Sequence, residues 1–125
     1  MLSLAQASDY LVLAVPGGAQ TRHMIDAPVL EALGPQGFLI NVARGTVVDE
    51  TALVKALQAK TIAGAGLDVF EFEPQVPAEL MSLDQVVMLP HIASGTFETR
   101  KAMADLVVEN LDAWFSRREL LTRVV

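Results

Sequence analysis

The chain contains no cysteine. Disulfides and thiolate chemistry are thereby excluded, and a reducing, cytoplasmic setting fits. Basic residues are few: nine lysines and arginines stand against fifteen aspartates and glutamates, a net charge of −6. That balance repels nucleic-acid phosphates and anionic membrane surfaces alike, so neither partner is expected. Long hydrophobic runs are missing too. The longest unbroken one, residues 10–16, is too short to span a bilayer. It has no basic segment before it and Asp9 interrupts it upstream, so it does not read as a signal peptide. No His/Cys/carboxylate spacing suits a metal, and no G-x-S-x-G elbow accompanies Ser94, so neither a metal site nor a serine nucleophile is expected. Repeats, linkers and low-complexity tracts are absent. What remains is a chain of 125 residues, 52% hydrophobic, the usual size of one domain with a real core.

In chain order, residues 2–8 read as the tail of a helix or an approach loop. Residues 10–15 form a continuous apolar run, the mark of a strand covered on both faces, ended by Pro16-Gly17-Gly18. Asp26 can cap a helix over residues 27–33, with Pro28 tolerated in its first turn, Ile25 and Leu30 as a hydrophobic staple, and Gly34-Pro35 as the stop. A second strand over residues 38–43 ends at Arg44-Gly45. Asp49 or Thr51 caps the next helix, whose apolar face is Leu53, Val54 and Leu57. Residues 62–70 make a third strand in which Gly64 and Gly66 allow close packing. A loop with Pro74 and Pro77 leads to a fourth strand, residues 86–89. The last helix opens near Thr96 and runs to about residue 117, its stripe of Met103, Leu106, Val107, Leu111 and Trp114 read as core. Helical connections between buried strands imply an α/β fold, a parallel sheet of about four strands with flanking helices.

In a parallel sheet the strands end on one edge. Those ends carry Pro16-Gly17-Gly18, Arg44-Gly45, Asp68 and Pro90-His91, with Glu71 and Glu73 just beyond Asp68. Ligands of open α/β sheets bind in crevices at such ends. An arginine can grip a carboxylate with two parallel hydrogen bonds. A histidine can give a proton to a carbonyl oxygen or take one from an alcohol. A nearby carboxylate would hold the ring and fix its tautomer. Each residue also admits a plain reading: Arg44 as a salt-bridging loop residue, Asp68 as a cap, Glu73 as a surface carboxylate, His91 as a solvated loop histidine. Their joint alignment at one edge favours a site.

Three ordered motifs sharpen this: Asn41-Val-Ala-Arg-Gly-Thr-Val-Val-Asp-Glu50, Gly64-Ala-Gly-Leu-Asp-Val-Phe-Glu-Phe-Glu-Pro74 and Leu89-Pro-His-Ile-Ala-Ser-Gly-Thr96. Together with Val15-Pro-Gly-Gly-Ala-Gln-Thr-Arg-His-Met-Ile25, they resemble the D-isomer-specific 2-hydroxyacid dehydrogenases over almost the whole chain. Residues 67–77 and 95–109 look most like the glyoxylate/hydroxypyruvate reductases of that family. The resemblance implies an oxidoreductase that passes a hydride between NAD or NADP and a short 2-oxo acid. It implies that Arg44 binds and polarises the substrate, that His91 is the acid/base, and that Glu73 is its carboxylate partner. Asp68 resembles the residue holding the nicotinamide carboxamide. Val15, Pro16, Thr21, Val42, Ala43, Arg44, His91, Ala93 and Ser94 resemble the family's cofactor contacts. His23 has no such role and reads as a surface histidine.

The chain departs from the family in two ways. Residues 17–21 replace the family's frequent Leu-Thr-Pro-Glu-Thr. No G-x-G-x-x-G occurs, and Gly64-x-Gly66 neither completes that fingerprint nor opens a helix. Residues 1–125 are therefore expected to be the C-terminal half of a Rossmann-like dinucleotide-binding domain, without the fingerprint loop and substrate domain, closed by the helix at about 96–117. Whether NAD or NADP is preferred is not written in this stretch. An alternative reading is a non-catalytic truncated module that folds and self-associates without turnover. In either case the strand at residues 10–15 would present an unpaired edge, so a homodimer or higher oligomer is expected.

Overall fold

The computed structural model describes residues 1–124. It divides into two compact units, Met1–Ala93 and a second that begins at Ser94.

The first unit is built on a four-stranded, wholly parallel sheet in sequential order β1-β2-β3-β4. The strands are β1 (Tyr10–Leu13), β2 (Phe38–Asn41), β3 (Gly64–Leu67) and β4 (Val86–Met88), and the helices of this unit are α1 (Leu2–Gln6), α2 (Ala27–Leu33), α3 (Glu50–Gln58) and α4 (Ala78–Met81). Register is in step across the sheet: Leu13 stands beside Asn41, Asn41 beside Leu67, and Leu67 beside Met88. All four strands therefore finish at one level, and their continuations leave the sheet along one edge.

Local chemistry starts and stops the helices. The Asp26 carboxylate accepts the Val29 N–H at 3.2 Å, and the Asp49 carboxylate accepts the Ala52 N–H at 3.0 Å. Each such cap is worth about 1 kcal/mol. Asp49 rather than Thr51 thus opens α3. Gly34, at φ +80°, terminates α2 in a conformation that a side chain would strain. The core gathers Ile25, Leu30, Leu39, Leu53, Leu57, Ile62 and Leu80, all fully buried. Each contributes about 1.5–3 kcal/mol by leaving water.

Several expectations need correction. The strands are shorter than their apolar runs: residues 14–15, 42–43, 68–70 and 89 lie beyond the strand ends, and β3 begins at Gly64 rather than at residue 62. A one-turn 3-10 helix, Gly45–Val47, and the short helix α4 interrupt what read as loops. β1 is not covered on both faces: Leu11 and Leu13 are buried, whereas Tyr10 and Val12 are exposed, as is Val87 on β4. A continuous apolar run signals two faces that favour burial, and in this unit the core covers one of them.

The second unit is a single long helix, α5 (Phe97–Arg117), with a short tail. Thr96 caps it by accepting the Thr99 N–H at 3.1 Å, and Arg118 closes it in the left-handed region, its guanidinium 5.5 Å from the Trp114 ring. Asn110 fastens the tail, its Oδ1 accepting the N–H groups of Leu121 and Thr122 at 3.0 and 3.2 Å. The stripe of Met103, Leu106, Val107, Leu111 and Trp114 is exposed, contrary to its reading as core; of α5, Ala113 alone is buried. Periodicity shows which face of a helix favours cover, not that cover is present.

The two strand glycines are not equivalent. A Cβ on Gly64 would stand 2.5 Å from the Gln85 carbonyl oxygen, which the sheet holds fixed. On Gly66 it would stand 3.1 Å from the free methyl end of Ile40. Gly64→Ala should lower the unfolding free energy by about 1–3 kcal/mol. Gly66→Ala should stay within about 1 kcal/mol of the wild type, since the stiffer backbone offsets the crowding. Urea unfolding of the two variants checks this; equal losses would refute the distinction.

Candidate active site

The carboxyl edge of the sheet is organised by two buried polar residues. Asn41, at the end of β2, is 1% exposed. Its amide donates to the Arg44 carbonyl at 3.1 Å, and its side-chain oxygen accepts the Ala43 N–H at 3.0 Å. That pair of bonds folds the backbone sharply after the strand and projects Arg44 from the turn. Arg44 Nη1 donates to the Ala43 carbonyl at 2.6 Å. Asn41 was missed as a functional candidate, although a lone amide ending an apolar run was a visible signal.

Asp68, one residue past β3, is 4% exposed. Its two carboxylate oxygens accept the N–H groups of Ile92 and Ala93 at 2.7 and 2.9 Å, and its carbonyl accepts the His91 N–H at 2.8 Å. These bonds hold the turn after β4 with His91 at φ 54°, a left-handed conformation that costs energy in a non-glycine residue.

Glu73 completes the arrangement. Its Oε1 accepts the Phe70 N–H at 2.9 Å, and its Oε2 lies 2.8 Å from His91 Nδ1. The bond from His91 holds the Glu73 carboxyl below the usual carboxylate range; partial burial opposes this, and the Phe70 N–H supports it. An ionised carboxylate can only accept, so Nδ1 carries the proton and Nε2 is left to exchange one. Arg44, Glu73 and His91 line one cleft of about 610 Å³, together with Pro16, Gly17 and Phe72.

Gly45 allows this convergence. A Cβ at that position would lie 1.9 Å from the carbonyl carbon of Phe70, so the turn carrying Arg44 sits directly against the backbone that leads to Glu73. Behind it, Glu71 Oε1 meets Arg22 Nη2 at 2.7 Å and His23 Nε2 at 2.8 Å, and the Glu71 N–H donates to Glu50 Oε1 at 2.7 Å. His23 is therefore a half-buried partner of Glu71 and not a free surface histidine. The pairing spans 48 residues, beyond what local sequence reveals. Glu50 is itself buried, and burial raises its carboxyl above the usual range; the Glu71 N–H opposes this, and the charges of Glu71 and Glu73 add to it.

The other sequence candidates in the first unit lie in the stretches that follow β1, β2 and β4. Pro16 and Val42 are exposed, Val15 is half-buried, and Ala43 is buried. The Thr21 hydroxyl donates to the Pro16 carbonyl at 2.8 Å, so it braces the loop after β1. Ala93 is exposed at the end of the first unit, and Ser94, also exposed, opens the second. Among the described residues no group of His, Cys, Asp or Glu could hold a metal ion, and no helix is long and apolar enough to cross a membrane.

Residues 1–93 match the model of the D-isomer specific 2-hydroxyacid dehydrogenase, NAD binding domain. The chain belongs to that family. This family member is 58% identical, over its full 125 residues, to the glyoxylate/hydroxypyruvate reductase A of Arabidopsis thaliana, and 57% identical over the same length to the hydroxyphenylpyruvate reductase of Plectranthus scutellarioides. It spans 40% of the length of each. A crystal structure of the NADPH-dependent glyoxylate/hydroxypyruvate reductase of Sinorhizobium meliloti, in complex with NADP and malonate, superposes with a TM-score of 0.95 at 59% identity, covering 99% of this chain and 39% of that one. The four-stranded parallel sheet is thus of the Rossmann type found in these dehydrogenases.

The lowered Glu73 carboxyl makes this chain's stability depend on pH in a definite direction. A group titrating lower in the folded than in the unfolded state stabilises the fold above its ordinary value, near 4.5, and loses that contribution as pH falls through the folded value. Wild type should therefore exceed Glu73→Gln in urea midpoint at neutral pH, the gap closing in acid below 4.5. A gap that is constant or widens in acid would refute the pairing.

Proposed function

We propose that this chain forms the active-site wall of an NAD(P)-dependent oxidoreductase that interconverts a short 2-oxo acid and its D-2-hydroxy acid, in the manner of glyoxylate/hydroxypyruvate reductases. The observation that carries the proposal is the Nδ1 contact of His91 with Glu73, at 2.8 Å, in the cleft that Arg44 also lines. Glu73 keeps the ring oriented and its proton on Nδ1, and stabilises the ring when Nε2 takes up a second proton. His91 then delivers the Nε2 proton to the carbonyl oxygen of the 2-oxo acid as that carbon is reduced, and takes it back from the alcohol in the reverse direction. Arg44 pairs with the substrate carboxylate, presenting two N–H groups in a fork.

The edge fits the nicotinamide end of the cofactor. Val15, Val42 and Ala93 offer apolar cover, Pro16, Thr21 and Ala43 shape the adjoining loops, and Ser94 follows as a hydroxyl. Asp68 keeps a second lone pair on each oxygen beyond its bonds to Ile92 and Ala93, so it can accept from a carboxamide while anchoring the turn. When bound, the cofactor supplies or accepts the hydride. For the pyrophosphate end the chain has no glycine-rich turn. Residues 1–93, with the helix α5 beyond them, correspond on this reading to the C-terminal half of the dinucleotide-binding domain, and the 125-residue chain alone turns nothing over.

A second reading is a folded, self-associating module without turnover. It is favoured by the exposed Tyr10 and Val12 on β1, which pairs with β2 on one side only among the described residues. On both readings we propose a homodimer or higher oligomer that covers β1, because an unpaired apolar edge recruits another chain. Light scattering on dilute chain should give at least a dimer mass; a monomer mass would refute this.

A chimera in which residues 1–125 replace the matching stretch of the Sinorhizobium reductase separates the two readings. It should oxidise NAD(P)H with glyoxylate or hydroxypyruvate. Within it, His91→Ala should cut turnover by roughly 10²–10⁴-fold. Arg44→Ala should weaken the 2-oxo acid while sparing NAD(P)H; equal weakening of both would make Arg44 structural. A folded but silent chimera would favour the non-catalytic module.

A further inference from the structure

Glu71 has no part in the roles assigned above, yet two distant stretches of the chain meet on it. Its side chain is 6% exposed and receives Arg22 and His23 from the loop after β1, while its backbone N–H is held by Glu50 at the start of α3. The adjoining residue, Phe70, serves the cleft directly. The Phe70 N–H fixes Glu73 Oε1, and the Phe70 carbonyl carbon is the atom that a Cβ on Gly45, next to Arg44, would strike. The His23 N–H also donates to the Thr46 carbonyl at 2.9 Å, tying the same loop to the Arg44 turn.

Two buried carboxylates with partly exposed partners are a poor source of bulk stability. Desolvating the carboxylates costs much of what their partners return, and Glu50 Oε2 is buried with no hydrogen-bond partner among the described residues. Apolar side chains of the same volume would fill the space without that cost. What the polar set adds is direction, since hydrogen bonds fix orientation where packing alone does not.

We propose that Glu71, held by Arg22, His23 and Glu50, is a positioning residue. It fixes the Phe70–Glu71 peptide and thereby sets Glu73 to hold His91 with its proton on Nδ1. The proposal rests on the pairing of His91 and Glu73 in the function proposed above and extends it to Glu71, which lines the same cleft, and to its partners.

The chain has two histidines, so ring ¹⁵N spectra of the 125-residue protein resolve both without any turnover. At a pH where the rings are neutral, wild type should show His91 as the Nδ1–H tautomer and His23 as the Nε2–H tautomer. Glu71→Met removes the acceptor and should shift His91 to the Nε2–H form. Glu71→Gln keeps an acceptor oxygen and should restore the Nδ1–H form. If Glu71→Met does not fold, as judged by its amide spectrum, the double variant Arg22→Met/His23→Gly strips Glu71 of its side-chain donors instead, glycine suiting the left-handed φ of 49° at position 23, and should give the same shift at His91. Either variant, folded and still showing Nδ1–H at His91, overturns the proposal. A wild-type His91 without Nδ1–H would instead overturn the pairing with Glu73 itself, so the two failures are told apart.

Discussion

The cleft depends on the buried carboxylate of Asp68. Its two oxygens take the amides of Ile92 and Ala93, and its carbonyl takes the amide of His91, so one residue at the end of β3 dictates the course of the chain after β4. Bonds from N–H groups to a charged acceptor are stronger than neutral ones, and a buried carboxylate without them would be expensive. That requirement fixes the turn so firmly that His91 is carried in a left-handed conformation. The imidazole is aimed by its own backbone before any side chain touches it.

The same logic repeats one strand away. Asn41 binds both Ala43 and Arg44, so β2 also ends in a turn tied to its own buried terminus. Between the two turns lies the Gly45 contact with Phe70, where two backbones approach closer than a side chain would permit. Because Asn41 and Leu67 are in register, the residues that follow them leave the sheet at the same height. Arg44 and Glu73 thus reach one cleft from strands that share a hydrogen-bond ladder. The parallel register is the coarse instrument of this geometry, and the polar anchors at the strand ends are the fine one.

How much of this was legible in sequence follows from the range of each interaction. Asp26, Asp49 and Thr96 announced their helices because a cap acts over three residues. The order of strands and helices followed from runs of apolar residues broken by glycine and proline, and the parallel edge then put Arg44, Glu73 and His91 together. The pairing of Glu73 with His91 was legible only through family resemblance, and that of Glu71 with His23 was not legible at all, since nothing local announces either. Strand ends were overrun because Val15, Ala43 and Phe70 are as apolar as the residues inside the sheet. The face of α5 was misread for a related reason: its spacing encodes a wish for cover, and cover comes from elsewhere in space.

The polar and apolar parts of the chain are complete to different degrees. A hydrogen bond needs one partner at one distance, and the anchors of Asp68, Asn41 and Glu73 all find theirs within residues 41–93. Hydrophobic burial needs area, and area grows with the amount of chain that packs together. Tyr10, Val12 and Val87 are accordingly exposed beside a site whose hydrogen bonds are made. On the proposed function, the rest of a protein of the relatives' length would act on this site chiefly by excluding water and supplying the phosphate end of the cofactor's seat. The orientation of His91 by Glu73 asks for nothing beyond the first unit, because every group that sets it belongs to that unit.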